Sequence, residues 1–179
     1  IDYLRMSITD RCNLRCVYCM PPEGITLAGH QEILRYEEFL RIAGIAAAHG
    51  VTRVRITGGE PLVRKDVVEF VKDLSSIKGI SDLSLTTNGV LLKEFARPLK
   101  DAGLKRVNVS LDSLQRERFH RITRGDNLQD VLDGLKEAHA SGLRPVKINM
   151  VVIKGFNEDE ALPFALISTK EPYHIRFIE

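Results

Sequence analysis

Short runs with a polar residue at every second position alternate along the chain with longer stretches whose apolar residues recur at a helical period. The short runs are Leu4–Thr9, Arg53–Thr57, Leu83–Thr87, Arg106–Leu111, Val146–Val152 and His174–Ile178. Their length and period of two predict strands. Of the longer stretches, Tyr36–His49 sets Phe39, Ile42, Ala43 and Ala46 on one face, with Gly50 as a stop. Lys65–Leu74 turns Val67, Val68, Val71 and Leu74 inward, and Leu91–Ala102 ends at Gly103. Asn127 is predicted to cap Leu128–Ser141, which directs Leu128, Val131, Leu132, Leu135 and Ala138 to the core ahead of Gly142. Asn157 is predicted to cap a sixth, weaker helix that Pro163 shortens or kinks. Arg121–Arg124 reads as a surface helix or loop. Strands alternating with helices predict an α/β fold with a parallel sheet and right-handed crossovers.

A parallel strand covered on both faces should be apolar throughout. These strands are not. Arg5, Ser7 and Thr9 share one parity, as do Arg55 with Thr57, Ser84 with Thr86, Asn108 with Ser110 and Asp112, and Lys147 with Asn149; Arg176 continues the set. Helices must cover the other face. The polar side is either a solvated face of an open sheet or, if six strands curl into a partial (β/α)6 barrel, a lumen with cationic walls around a polar ligand. The curled sheet is the expected form, because parallel sheets rarely expose a face.

Composition narrows the function. The 179 residues suit one globular core domain, residues 1–179. Lys plus Arg number 26 against 24 Asp plus Glu, so a broad nucleic-acid-binding face is not expected. No apolar run approaches the ~20 residues that span a bilayer, and no signal segment opens the chain, which predicts a cytoplasmic location, or a mitochondrial one in a eukaryote. Because it starts at Ile1 rather than Met, the chain is expected to lack part of its natural N-terminus.

Three cysteines, all within residues 12–19, are too few and too clustered for a disulfide framework. Cys12, Cys16 and Cys19 form a C-x3-C-x2-C motif directly after the first strand. Thiolates suit zinc and iron–sulfur clusters. A structural zinc site needs a fourth ligand, and His30 stands eleven residues beyond Cys19. A [4Fe–4S] cluster held by three cysteines leaves one iron open to an exogenous molecule. The five histidines, His30, His49, His120, His139 and His174, lack metal spacing; His49 suits a helix C-terminus.

The cysteine motif, with Tyr18 before its last member and Gly58-Gly59-Glu60-Pro61 after the second strand, resembles the radical S-adenosylmethionine (SAM) superfamily. Further stretches are similar to the GTP 3′,8-cyclase family of molybdenum cofactor biosynthesis: Arg5 through Pro21, Arg55–Leu62, Thr86–Gly89, Asn108–Ser113, Val146–Asn149 and Arg176–Glu179. The resemblance implies a partial (β/α)6 barrel. It implies that Cys12, Cys16 and Cys19 ligate a [4Fe–4S] cluster whose open iron chelates SAM, and that one electron then yields a 5′-deoxyadenosyl radical. Tyr18, Gly59 and Ser110 would contact SAM, with Glu60 and Asp112 as further SAM-side candidates. Arg5, Arg55, Thr86 and Lys147 would contact GTP, which agrees with their polar parity, since Arg and Lys pair naturally with phosphates. The glycine loop would hold the SAM amino group through carbonyls, glycine permitting close approach.

The same resemblance implies a flavodoxin-type electron donor, a following pyranopterin synthase step, neither nucleic acid nor membrane as partner, and a homodimer as one assembly. The family continues into a C-terminal region with three more cysteines, a second [4Fe–4S] cluster and further arginines. This chain is therefore expected to be part of a longer enzyme and incomplete for turnover alone. Two alternatives remain at this stage: another radical SAM enzyme with an anionic substrate, and a non-catalytic metal-binding module.

Overall fold

Six strands, β1 (Tyr3–Ser7), β2 (Arg53–Thr57), β3 (Asp82–Thr87), β4 (Arg106–Ser110), β5 (Val146–Val151) and β6 (Tyr173–Ile178), form one parallel sheet in chain order. The computed structural model describes residues 1–29 and 31–179, so the expectations attached to His30 lie outside the described residues. Among the described residues, six α-helices connect or follow the strands: α1 (Tyr36–Ala48), α2 (Val67–Ser75), α3 (Leu92–Asp101), α4 (Arg116–Thr123), α5 (Leu128–Ala140) and α6 (Ala161–Lys170). Every predicted strand is present, with ends shifted by at most two residues.

The alternation sorts the two faces as expected. Met6, Val54, Ile56, Leu83, Leu85, Val107, Val109, Val146, Ile148 and Met150 are buried, and the helices supply Val71, Leu74, Leu92, Ala96, Leu99, Val131 and Leu135 to the same core. On the other face, register aligns Arg5 with Arg55, Arg55 with Ser84, and Ser84 with Arg106. A second row runs Thr86, Asn108, Lys147 and His174, and a third Ser110, Asn149 and Arg176. β1 and β6 are the edges, so the sheet does not close. Arg55 on β2 and Lys147 on β5 stand on this same face, three strands apart.

Several local expectations are corrected. Of the face predicted for α1, Phe39 and Ala43 are buried, but Ile42 is 43% exposed. In α2 Phe70 is buried and stacks on Tyr36 at 4.3 Å between ring centroids, while Val68 is only half-buried. Asn127 occupies the N-cap position of α5 without capping through its side chain, whose Nδ2 donates to Asp130. Asn157 caps no helix either. α6 begins at Ala161 after a 3₁₀ turn at Glu158–Glu160, so Pro163 falls in the first turn, where no intrahelical bond is lost. The Arg121–Arg124 region is a surface helix end as expected: Arg121 is exposed on α4, Arg124 is its exposed C-cap, and Phe119 and Ile122 anchor the inner face.

Candidate functional site

The cysteine loop leaves β1 and is gripped from two sides. On one side Gly59 N–H donates to the Thr9 carbonyl and Glu60 N–H to the Arg11 carbonyl, both at 2.7 Å. A Cβ on Gly59 would stand 2.3 Å from the Arg11 oxygen, and one on Gly58 would stand 2.5 Å from the Thr9 oxygen. The close approach that glycine permits here is therefore to the cysteine loop. On the other side Arg15 and Val17 donate to the carbonyls of Thr123 and Ile122, at 3.1 and 2.9 Å. Arg124 returns two bonds, to the carbonyls of Arg15 at 2.7 Å and Met20 at 2.9 Å. The C-terminal end of α4 is thus a clamp on the loop, a role that no motif or spacing signals.

Two buried carboxylates complete the support. Glu60 accepts from Leu62 N–H, from the Thr87 hydroxyl at 2.8 Å and from Asn88 N–H at 2.6 Å. Asp112 accepts from the Tyr18 hydroxyl at 2.6 Å and from Val151 N–H at 2.8 Å. Asn157 bolts this second cluster together, donating to the Asp112 and Val151 carbonyls and accepting from Ile153 N–H. Both acids are candidates for the SAM side, and every oxygen of each also accepts a bond from the protein, so they brace the site as well. Burial raises both acids, against the opposing pull of these hydrogen bonds. Tyr18 is 44% exposed as a residue, but its hydroxyl is turned in on Asp112. Burial first, then the Asp112 charge, pushes that phenol up.

The three thiols are free; Cys12 and Cys16 are partly buried and Cys19 is exposed. Burial first, then the charges of Cys19 and Asp112, pushes the Cys16 thiol up to about 12. Burial also raises Cys12 and Cys19. Thiols so placed keep their protons until a metal displaces them. Among the described residues, no three Cys, His, Asp or Glu side chains gather as a single ion requires. A cubane makes no such demand, because each thiolate binds a different iron. The donor set, three soft ligands on one braced loop, fits a [4Fe–4S] cluster with one open iron.

Arg5, Arg55, Thr86, Lys147 and Ser110 all lie on the sheet's polar face, while their strand neighbours Met6, Ile56, Leu85, Ile148 and Val109 are buried. Burial lowers Lys147, and the charges of Arg176, Arg106 and Arg55 add to the effect. Four cations, Arg55, Arg106, Lys147 and Arg176, thus lie on one face of the sheet, and Arg106 is a member the sequence reading missed although it has the parity of Asn108. It is held by Asp82 through bonds of 2.6 and 2.5 Å. Four polar atoms of this face, Arg55 Nε, Arg106 Nε, Asn108 Oδ1 and Asn149 Oδ1, are buried with no hydrogen-bond partner. Native folds seldom leave such groups unsatisfied without a functional reason. Here two donors and two acceptors are left on the same face, which suits a polar ligand.

Residues 6–165 match the family model of the radical SAM superfamily. The chain belongs to that superfamily. Among curated relatives it is 61% identical over 180 residues to the GTP 3′,8-cyclase of Thermodesulfovibrio yellowstonii, covering 100% of this chain and 56% of the relative. It is 56% identical over 179 residues to that of Moorella thermoacetica, covering 100% and 55%. The chain thus spans about half the length of the curated relatives it matches. Among solved structures, anSMEcpe with bound AdoMet aligns with a TM-score of 0.77 at 20% identity, over 98% of this chain and 49% of that one. Streptococcus suis SuiB bound to S-adenosylmethionine aligns at 0.74 and 20%, over 99% and 39%. These likenesses confirm the radical SAM partial barrel. A radical SAM enzyme implies a [4Fe–4S] cluster and SAM. Among the described residues no helix is long and apolar enough to cross a membrane.

Proposed function

We propose that this radical SAM chain is the core of a GTP 3′,8-cyclase, converting GTP to (8S)-3′,8-cyclo-7,8-dihydro-GTP in the first step of molybdenum cofactor biosynthesis. The observation that carries the reading is identity of 51–61% over the whole chain to relatives named GTP 3′,8-cyclase. The cationic floor is its physical counterpart, since a triphosphate calls for several Arg and Lys donors.

Cys12, Cys16 and Cys19 would hold the cluster. Tyr18, Gly59 and Ser110 would line the SAM position, Tyr18 fixed there by Asp112. Arg5, Arg55, Thr86 and Lys147 would bind GTP, and Arg106 would add a fourth guanidinium or ammonium near the phosphates. When bound, the cluster and SAM would supply a 5′-deoxyadenosyl radical. The chain's own part is to orient the ribose beneath that radical, where a displacement of ~1 Å can cost a hundredfold in rate. Residues 1–179 would form one core domain, and the second cluster of the full enzyme would lie outside it. A flavodoxin-type donor, a following pyranopterin synthase step, a cytoplasmic location and a homodimer belong to the same reading.

The test is an anaerobic assay of the full-length protein with dithionite, SAM and GTP deuterated at C3′. Deuterium should appear in 5′-deoxyadenosine together with the cyclised nucleotide. Formation of 5′-deoxyadenosine at the same rate without GTP, and without label, would overturn the reading in favour of another anionic substrate.

A further inference from the structure

The loop after β3 reaches across to the first cysteine. Asn88 is fixed at three points: its backbone N–H donates to Glu60 at 2.6 Å, its Oδ1 accepts from Val90 N–H at 3.0 Å, and its Nδ2 donates to Asn13 Oδ1 at 2.7 Å. The Val90 bond sets the amide orientation, because only the oxygen can accept it. The second Nδ2 hydrogen is then left for the Cys12 sulfur, 3.8 Å away. Leu14 N–H reaches the same sulfur at 3.4 Å. Asn88 and Cys12 are separated by 76 residues, so this contact is a product of the fold.

We propose that Asn88 is a positioning residue that tunes the cluster's reduction potential through an N–H···S bond to the Cys12 thiolate, with Glu60 holding it in place. The inference rests on the reading of Cys12 as a cluster ligand. Hydrogen bonds to cluster sulfurs are among the levers that set such potentials. One electron, delivered by a low-potential one-electron donor, adds negative charge to the cluster and its thiolates, and no bond need form or break in that step. A donor aimed at Cys12 Sγ stabilises the reduced state more than the oxidised one, because the sulfur carries more charge after reduction. The tight hold on Asn88 matters here: a donor free to turn toward water would contribute little.

The test uses the reconstituted holoprotein, poised anaerobically with dithionite and mediators and read by the electron paramagnetic resonance of the reduced cluster. In Asn88→Ala the ratio of reduced to oxidised cluster at a fixed ambient potential should fall about tenfold, ~59 mV for a one-electron couple. Asn88→Asp, which keeps the acceptor for Val90 but turns an anionic oxygen toward Cys12, should fall further. A purely structural role would lower cluster content or thermal stability and leave the potential of the loaded fraction unchanged. A second measurement needs no variant: parent protein grown with asparagine labelled at the side-chain amide nitrogen should show a ¹⁵N coupling to the reduced cluster. A loaded cluster with neither the coupling nor the shift overturns this inference and leaves the cluster reading intact. Failure of the parent to assemble an iron–sulfur cluster overturns the cluster reading itself.

Discussion

At the C-terminal ends of the strands the buried acids Glu60 and Asp112 have a donor on every carboxylate oxygen. Toward the strand starts, Arg55 and Arg106 each keep a buried Nε with no partner, and Lys147 is crowded by three arginines. The rim is finished by the protein itself: four of its five hydrogen bonds join segments far apart in sequence and hold the cysteine loop's surroundings before anything binds. The floor is unfinished, with cations gathered against their mutual repulsion and polar atoms left over. Prepaid rigidity suits a site where a cluster must be placed accurately. Unspent hydrogen-bonding capacity suits a site whose partner arrives as a ligand and brings the missing charge.

The largest expected break is at the rim. Cys16→Ala should abolish cluster assembly, or leave a degraded cluster, where the parent reconstitutes with about four iron and four sulfide. Cys12→Ala and Cys19→Ala should do the same. Iron and sulfide content decides it, and a protein that instead loads zinc stably and refuses iron would revive the metal-module reading.

A second pair of variants sharpens the contrast between the two ends. Glu60→Gln puts an amide N–H against a bound donor, whichever way it turns, so the apo-protein should lose about 1–3 kcal/mol by chemical denaturation. Arg55→Ala should do the opposite in kind. Its stability should change by no more than about 0.5 kcal/mol, since it removes a cation from a crowded face. Its GTP affinity should fall roughly 10- to 100-fold, the equivalent of about 1.5–3 kcal/mol for a charge-assisted bond. SAM affinity should stay nearly constant. Equal losses of GTP and SAM affinity would mean that floor and rim are one coupled structure.

That contrast also marks what the sequence could reveal. The fold was legible because one physical rule, polar residues at period two in short runs, acts locally in all six strands. The floor was legible for the same reason: Arg5, Arg55 and Lys147 share a parity. The rim was legible only in its cysteines. Glu60 to Asn88 and Asp112 to Tyr18 are pairings over 28 and 94 residues, and an isolated Glu or Asp at a strand end looks equally like a ligand contact. Asn127 and Asn157 were misread for a related reason. Asn favours caps on average, but a buried amide that can join three backbone groups, as Asn157 does, satisfies more of the fold. Ile42 and Phe70 show the limit of periodicity, which reports a face but not which neighbour covers it.

The smallest expected effect lies in the floor's own titration. Lys147 is lowered by burial and by Arg176, Arg106 and Arg55, with Asp82 as the opposing charge. For a base whose folded value lies below its unfolded value of about 10.4, the unfolded chain binds more protons between the two. Stability therefore rises with pH across that alkaline window and is flat below the folded value. Lys147→Met should remove this part of the slope, seen as a shallower rise of denaturation free energy on the alkaline side. Bound triphosphate should restore the lysine's proton, so GTP binding in that window should take up protons, detectable as a buffer-dependent heat in calorimetry. An alkaline slope identical in parent and Lys147→Met would mean that the cations of this face do not act on one another, and the floor would have to be redrawn as a solvated surface.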